Sequence, residues 1–151
     1  PVFFINGTND FAYPLDSYAK TYGLVKSKRN FRITVNMPHG HQQGWDPKEI
    51  GLFVDQYLKG GTPLPVVMKP KLIDNEIHAE VKSKTPLTSA QLHYTTGTVP
   101  INKLDWESIS ARIEGKSIVS PVPPDDTTIW FLTVSDNRTA VVSSEVVFST
   151  K

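Results

Sequence analysis

The chain opens on an unbroken apolar run. Val2-Phe3-Phe4-Ile5 has no polar interruption, a pattern that suits a strand buried on both faces, as in parallel sheets. A polar loop from Gly7 to Pro14 follows, then Leu15, Tyr18, Tyr22 and Val25 recur at helical spacing with Asp16 placed to cap. Beyond the solvated turn Lys26-Ser27-Lys28-Arg29-Asn30, Phe31, Ile33 and Val35 alternate with Arg32 and Thr34. That alternation predicts a second strand, nearer a sheet edge. The best-marked helix comes next. Asp46 stands at the N-cap, Pro47 at the first helical position and Glu49 at the third, so cap, preset φ and capping box coincide. Ile50, Phe53, Val54, Tyr57 and Leu58 make one apolar face, and Gly60-Gly61 ends the helix. Strand, helix, strand, helix in this order predicts a right-handed parallel crossover.

The texture then changes. Thr62 to Pro70 holds three prolines and no period, which reads as a semi-extended linker. Past it, alternation is everywhere: Ile77, Ala79 and Val81; Ala90, Leu92 and Tyr94; Ile109, Ala111 and Ile113. Ile118-Val119, Thr128 to Val134 and Ala140 to Phe148 add further strands, with turn residues between them. Short strands at this spacing predict an all-β immunoglobulin-like sandwich. Trp106 and Trp130 are its obvious large core fillers, and His78 and His93, out of phase with the core, are expected to face solvent. The expected division is an α/β piece over residues 1–61, a linker over 62–70 and the sandwich over 71–151. Few contacts should cross such a boundary, so the sandwich should fold alone.

Composition changes this picture little. The 151 residues carry 16 basic and 15 acidic side chains, well mixed, for a net charge of +1. No Lys/Arg block marks a nucleic-acid or anionic-membrane partner, and no apolar run approaches a membrane span. The absence of Cys excludes thiolate catalysis, disulfides and Cys-based zinc sites. A start at Pro1, directly on a strand and without a signal peptide, suggests a segment excised from a longer protein. The free edge of that first strand is expected to promote self-association.

The chemistry-bearing residues stand just past the two N-terminal strands. Asp10 follows the first, and Met37-Pro38-His39-Gly40-His41 follows the second. An acid and an imidazole on loops at the carboxyl ends of parallel strands can converge. In Ser-His-acid hydrolases the acid fixes the imidazole tautomer, and the imidazole moves the nucleophile's proton. The order acid, then His, is that of the α/β-hydrolases. Asp10 is weighed against a mere turn former, and Asp16 is left as a cap. His39 and His41 also form an H-x-H pair, but no carboxylate or third His is placed to complete a metal set. No cofactor is implied.

Ile5-Asn6-Gly7-Thr8-Asn9-Asp10-Phe11-Ala12-Tyr13-Pro14 resembles the acid loop of α/β-hydrolases, and Met37 to Trp45 resembles their His loop before the final helix. The wording is closest to the acetyl-xylan-esterase-like branch, related to dienelactone hydrolases. The resemblance covers about residues 1 to 60. It implies the last strands and helices of an α/β-hydrolase sheet, secreted or periplasmic location, and an acetylated polysaccharide or other ester as substrate. It also implies Asp10 as triad acid and His41, which follows Gly as in that family, as triad base, with His39 supporting the loop. Trp45 either walls the acyl or sugar pocket or packs on the last helix. A Ser nucleophile on a G-x-S-x-G turn is implied too, yet no such motif occurs in the chain. The other reading is a non-catalytic carbohydrate-binding or spacer module, for which Trp106, Tyr94 and Trp130 are the candidate aromatics.

Overall fold

The computed structural model describes residues 1–149. Strand β1 (Val2–Asn9), helix α1 (Leu15–Leu24) and strand β2 (Arg29–Pro38) form the expected parallel pair with its crossover helix. Two short helices follow, α2 (His41–Trp45) and α3 (Glu49–Leu58). Phe3 stacks on Phe53 of α3, whereas Phe4 packs among Tyr18, Tyr22 and Phe31. Each face of β1 is therefore covered by its own helix, which is what an uninterrupted apolar strand requires. The far edge of β1 pairs with no described strand.

The capping box at the head of α3 is not made. Asp46 ends α2, and Lys48 precedes α3 without a side-chain cap. Glu49 is buried and accepts the Val141 N–H at 2.6 Å, so its carboxylate serves a distant strand instead of its own helix. At the other end Gly60 adopts φ +68° and the Gly61 N–H bonds the Asp55 carbonyl, the expected left-handed stop.

The remaining elements are strands, apart from one 3-10 turn at Ile101–Lys103: β3 (Val66–Val67), β4 (Lys71–Ile73), β5 (Glu76–Lys82), β6 (Leu87–Thr95), β7 (Glu107–Glu114), β8 (Ser117–Pro121), β9 (Ile129–Asp136), β10 (Val141–Ser143) and β11 (Val147–Phe148). All nine belong to one sheet, with the path β10-β9-β6-β7-β8-β5-β3, β11 on β9 and β4 on β5. β7 makes the bend. Glu107 to Ala111 pair with β6, and Arg112 to Glu114 pair with β8. The sheet curls round Ile77, Val81, Leu92, Ile118, Leu132 and Val142 until β3 and β10 approach each other.

This corrects the expected fold class. Strand accounts for 44% of the described residues and helix for 19%, and apart from the β1–β2 pair the strands form one nearly closed, barrel-like sheet. An α/β-hydrolase fragment followed by a separate immunoglobulin-like sandwich is not what the chain builds. Period-two alternation predicts which residues face a core, but an open sandwich and a curled sheet satisfy it equally.

Residues 62–70 are packed, not tethering. Leu64, Pro65 and Val67 are buried, and β3 pairs with β5. The N-terminal unit lies against the outer face of the sheet. Leu15 and Ile33 share a second core with Leu104, Ile129, Phe131 and Val146. Polar bonds cross as well: Asn30 to the Pro65 carbonyl, the Val146 N–H to Tyr22, and Arg29 with Glu145 at 2.9 Å. Arg138 reaches the Thr62 and Pro63 carbonyls while it pairs with fully buried Asp136. Burial alone would raise the Asp136 pKa, but bonds from Arg138, Thr85 and the Arg138 and Ala140 N–H groups hold it below the ordinary value.

Candidate active site

The site forms where β1 and β2 run out. The two strands pair in register from Val2↔Arg29 to Gly7↔Thr34, and then Asn9 pairs with Pro38. Two residues of β1 thus face four of β2 across this step. The bulge centres on Asn36, held at φ 59° with its N–H on Thr8 Oγ1 at 2.8 Å. Asn tolerates that left-handed conformation better than most residues. Because Asn9 and Pro38 are partners, the next residues out, Asp10 and His39, meet.

Gly7 permits the approach. A Cβ built there would lie 1.9 Å from the Met37 carbonyl oxygen, so any side chain must push the strands apart just below the dyad. Gly7→Ala is expected to cost about 3 kcal/mol, or ~6–12 °C in Tm for a domain of this size. Thermal unfolding followed by circular dichroism checks it; an unchanged Tm would mean that the bulge moves freely.

Asp10 is buried, and its Oδ1 accepts the N–H groups of Ala12 and Tyr13, each at 2.8 Å. His39 Nδ1 lies 3.1 Å from both Asp10 oxygens. Since the carboxylate oxygens already accept, Nδ1 must carry the proton and donate it. That leaves Nε2 with a free lone pair. Among the described residues no side chain bonds Nε2. Phe11 and Tyr13 flank the imidazole at 5.2 and 5.8 Å between ring centroids and are themselves 68% and 61% exposed. The dyad therefore opens onto an aromatic rim.

His41 does not reach the acid. It begins α2, is exposed, and turns instead to an apolar groove of about 450 Å³ shared with Phe3, Ile5, Trp45 and Phe53. Trp45 is 76% exposed on that groove. The structure thus brings Asp10 together with His39, and His41 together with Trp45, as two neighbouring features of one loop. The strand pairing was the missing signal: His39 directly follows the β2 residue that faces the last residue of β1.

Elsewhere the expected surface histidine is corrected. His93 is 7% exposed, with Nδ1 2.7 Å from Ser108 Oγ and Nε2 2.9 Å from Thr133 Oγ1. It faces outward from the curled sheet, beside Phe131 at 4.9 Å between ring centroids and along a cavity of about 300 Å³ that Ile33 and Val35 of β2 also line. Burial pushes its pKa down to about 4. Burial likewise raises the Tyr18 phenol well above its ordinary value, with Tyr22 and Asp10 adding to the shift. It also raises Tyr22 to about 12, against the Val146 N–H that lowers it.

Among the described residues no group of three or more His, Cys, Asp or Glu is placed to hold a metal, and no helix is long and apolar enough to cross a membrane. The chain matches no protein-family model. No curated protein is significantly similar to it.

Proposed function

We propose that Asp10 and His39 are the acid and base of a Ser-His-Asp carbohydrate esterase, with the nucleophile supplied by residues outside this sequence. The observation that carries the reading is the Nδ1–carboxylate contact with Nε2 left free. Asp10, fixed by two backbone N–H groups, sets the imidazole tautomer and stabilises the cation that forms. His39 Nε2 takes the hydroxyl proton as the serine oxygen bonds the acyl carbon. It returns that proton to the departing sugar oxygen as the ester bond breaks. Phe11, Tyr13 and Trp45 offer apolar and ring-stacking surface for the acyl group or the sugar. The likeness of residues 5–14 and 37–45 to hydrolase acid and His loops supports the reading, and it rests on those loops alone. A secreted or periplasmic setting and an acetylated polysaccharide substrate belong to the same proposal.

The test is hydrolysis of an acetylated aryl ester by a polypeptide that joins this sequence to its serine. Asp10→Asn should nearly abolish turnover, because Asn cannot hold the tautomer. Full activity in that variant would end the proposal.

The binding-module reading has less support. Tyr94 is buried with its hydroxyl on Glu107, while Trp130 packs against the inner core and Trp106 against the outer one. Those three aromatics are spent on packing and form no exposed platform.

A further inference from the structure

β2 carries the dyad at its end and a different feature at its beginning. Ten residues separate the two, or ~30 Å of strand. At the beginning lies a concavity of about 630 Å³, within the usual range for ligand sites. Three turns and the end of α3 enclose it. Lys28 precedes β2 and Arg29 opens it, Lys82 ends β5 and Lys84 follows in the β5–β6 turn, and Lys116 lies in the β7–β8 turn. Among the described residues Glu80 is the only acidic one lining it.

Five cations against one carboxylate contrast with the net charge of +1 for the whole chain. Arg29 is committed: it pairs with Glu145 at 2.9 Å and bonds the Tyr22 carbonyl at 2.6 Å. The four lysines are not. Among the described residues none of Lys28, Lys82, Lys84 and Lys116 has a carboxylate within ion-pair distance. Like charges gathered in a concavity focus their field into it and favour an anion there. The floor is apolar, with Tyr57 41% exposed beside Pro63, Val66 and Met68.

We infer that this groove binds an acidic oligosaccharide, a short chain of sugars carrying carboxylate or sulfate groups. Tyr57 and its apolar neighbours suit the face of a sugar ring, and the ammonium groups suit anionic substituents spaced along the chain. A nucleic acid fits less well. Only one aromatic is available for stacking, and no guanidinium is free for bidentate phosphate contact. The groove shares no residue with the dyad, so the inference does not rest on the esterase reading.

The full chain is titrated at low ionic strength with an oligogalacturonate, a sulfated oligosaccharide of equal length, a neutral xylo-oligosaccharide and a single-stranded oligonucleotide of equal charge. Calorimetry and amide chemical shifts report binding. At least one acidic sugar should bind and the neutral one should not; the tighter of the two acidic sugars identifies carboxylate or sulfate as the preferred group. Lys82→Glu with Lys84→Glu should weaken that binding at least about tenfold. Lys20→Glu, on α1 outside the groove, should leave it unchanged. Lys28→Gln with Lys116→Gln, a milder pair, should weaken it several-fold and guards against misfolding of the first. Failure of both acidic sugars to bind overturns the inference. So does an equal loss in Lys20→Glu, or an oligonucleotide that binds as tightly as the sugars.

Discussion

In an esterase that joins this sequence to its serine, His39→Ala is expected to lower kcat by about 10³-fold or more, with KM little changed. His41→Ala should cost far less. The difference follows from the register of β1 and β2. Asn9 and Pro38 are paired, so the first residues beyond them, Asp10 and His39, share the next rung at 3.1 Å. His41 lies two residues farther on, at the start of α2, with its side chain on the apolar groove. Without His39 no group remains on Asp10 to take the serine proton. Without His41 the groove that holds Trp45 loses one wall. Steady-state kinetics of the two variants on an acetylated aryl ester decides the matter, and a larger loss in His41→Ala would reverse the assignment.

Stability should fall steeply in acid because of His93. In the folded protein burial holds its pKa near 4, against an ordinary value near 6.5. Between those two values the unfolded chain binds a proton that the folded chain refuses. The stability present above pH 6.5 is therefore lost as pH falls through about 4, by on the order of 3 kcal/mol. Asp136, with its pKa held below the ordinary carboxylate value, adds a loss at still lower pH. His93→Gln keeps side-chain groups able to bond Ser108 and Thr133 and removes the titration. Denaturant unfolding at a series of pH values from 7 to 4 should show a shallower decline in this variant. Parallel declines in the two proteins would mean that His93 is not the group responsible.

His93 also shows where sequence reasoning stopped. Its parity along β6 is right: Leu92 and Tyr94 point into the curled sheet, and His93 points out. Pointing out of the sheet does not place a side chain in solvent when another part of the chain packs on that face. Here β2 and α1 cover that face, which is why Ile129 and Phe131 are buried on it as well. Local periodicity is visible one segment at a time, whereas the covering of one segment by another is not. The same holds for Glu49. Its spacing from Asp46 satisfies a capping box, but the Val141 N–H, 92 positions away in sequence, competes successfully for its carboxylate. The parallel β1–β2 pair, its crossover helix and the glycine stop of α3 were legible, since each depends on neighbours in sequence. The curl of the sheet depends on β7 changing partners at Ala111 and Arg112, where the sequence alternates without a break.

The candidate site was legible to within two residues. Asp10 follows directly from its position past an apolar strand. The choice between His39 and His41 required the bulge at Asn36, which no propensity announces. The basic groove was not legible at all, because its lysines sit at three separate places, in turns or at a strand end, and form no block in the chain.

The dyad depends on the bond from His39 Nδ1–H to Asp10. Nitrogen-15 NMR of the imidazoles reads it directly, because protonated and lone-pair ring nitrogens differ widely in shift. At neutral pH His39 should show its proton on Nδ1, opposite to the tautomer that free histidine favours in water, and Asp10→Ala should abolish that preference while leaving His41 unaffected. A His39 that carries its proton on Nε2 and ignores the loss of Asp10 would mean that the two residues form no acid–base dyad.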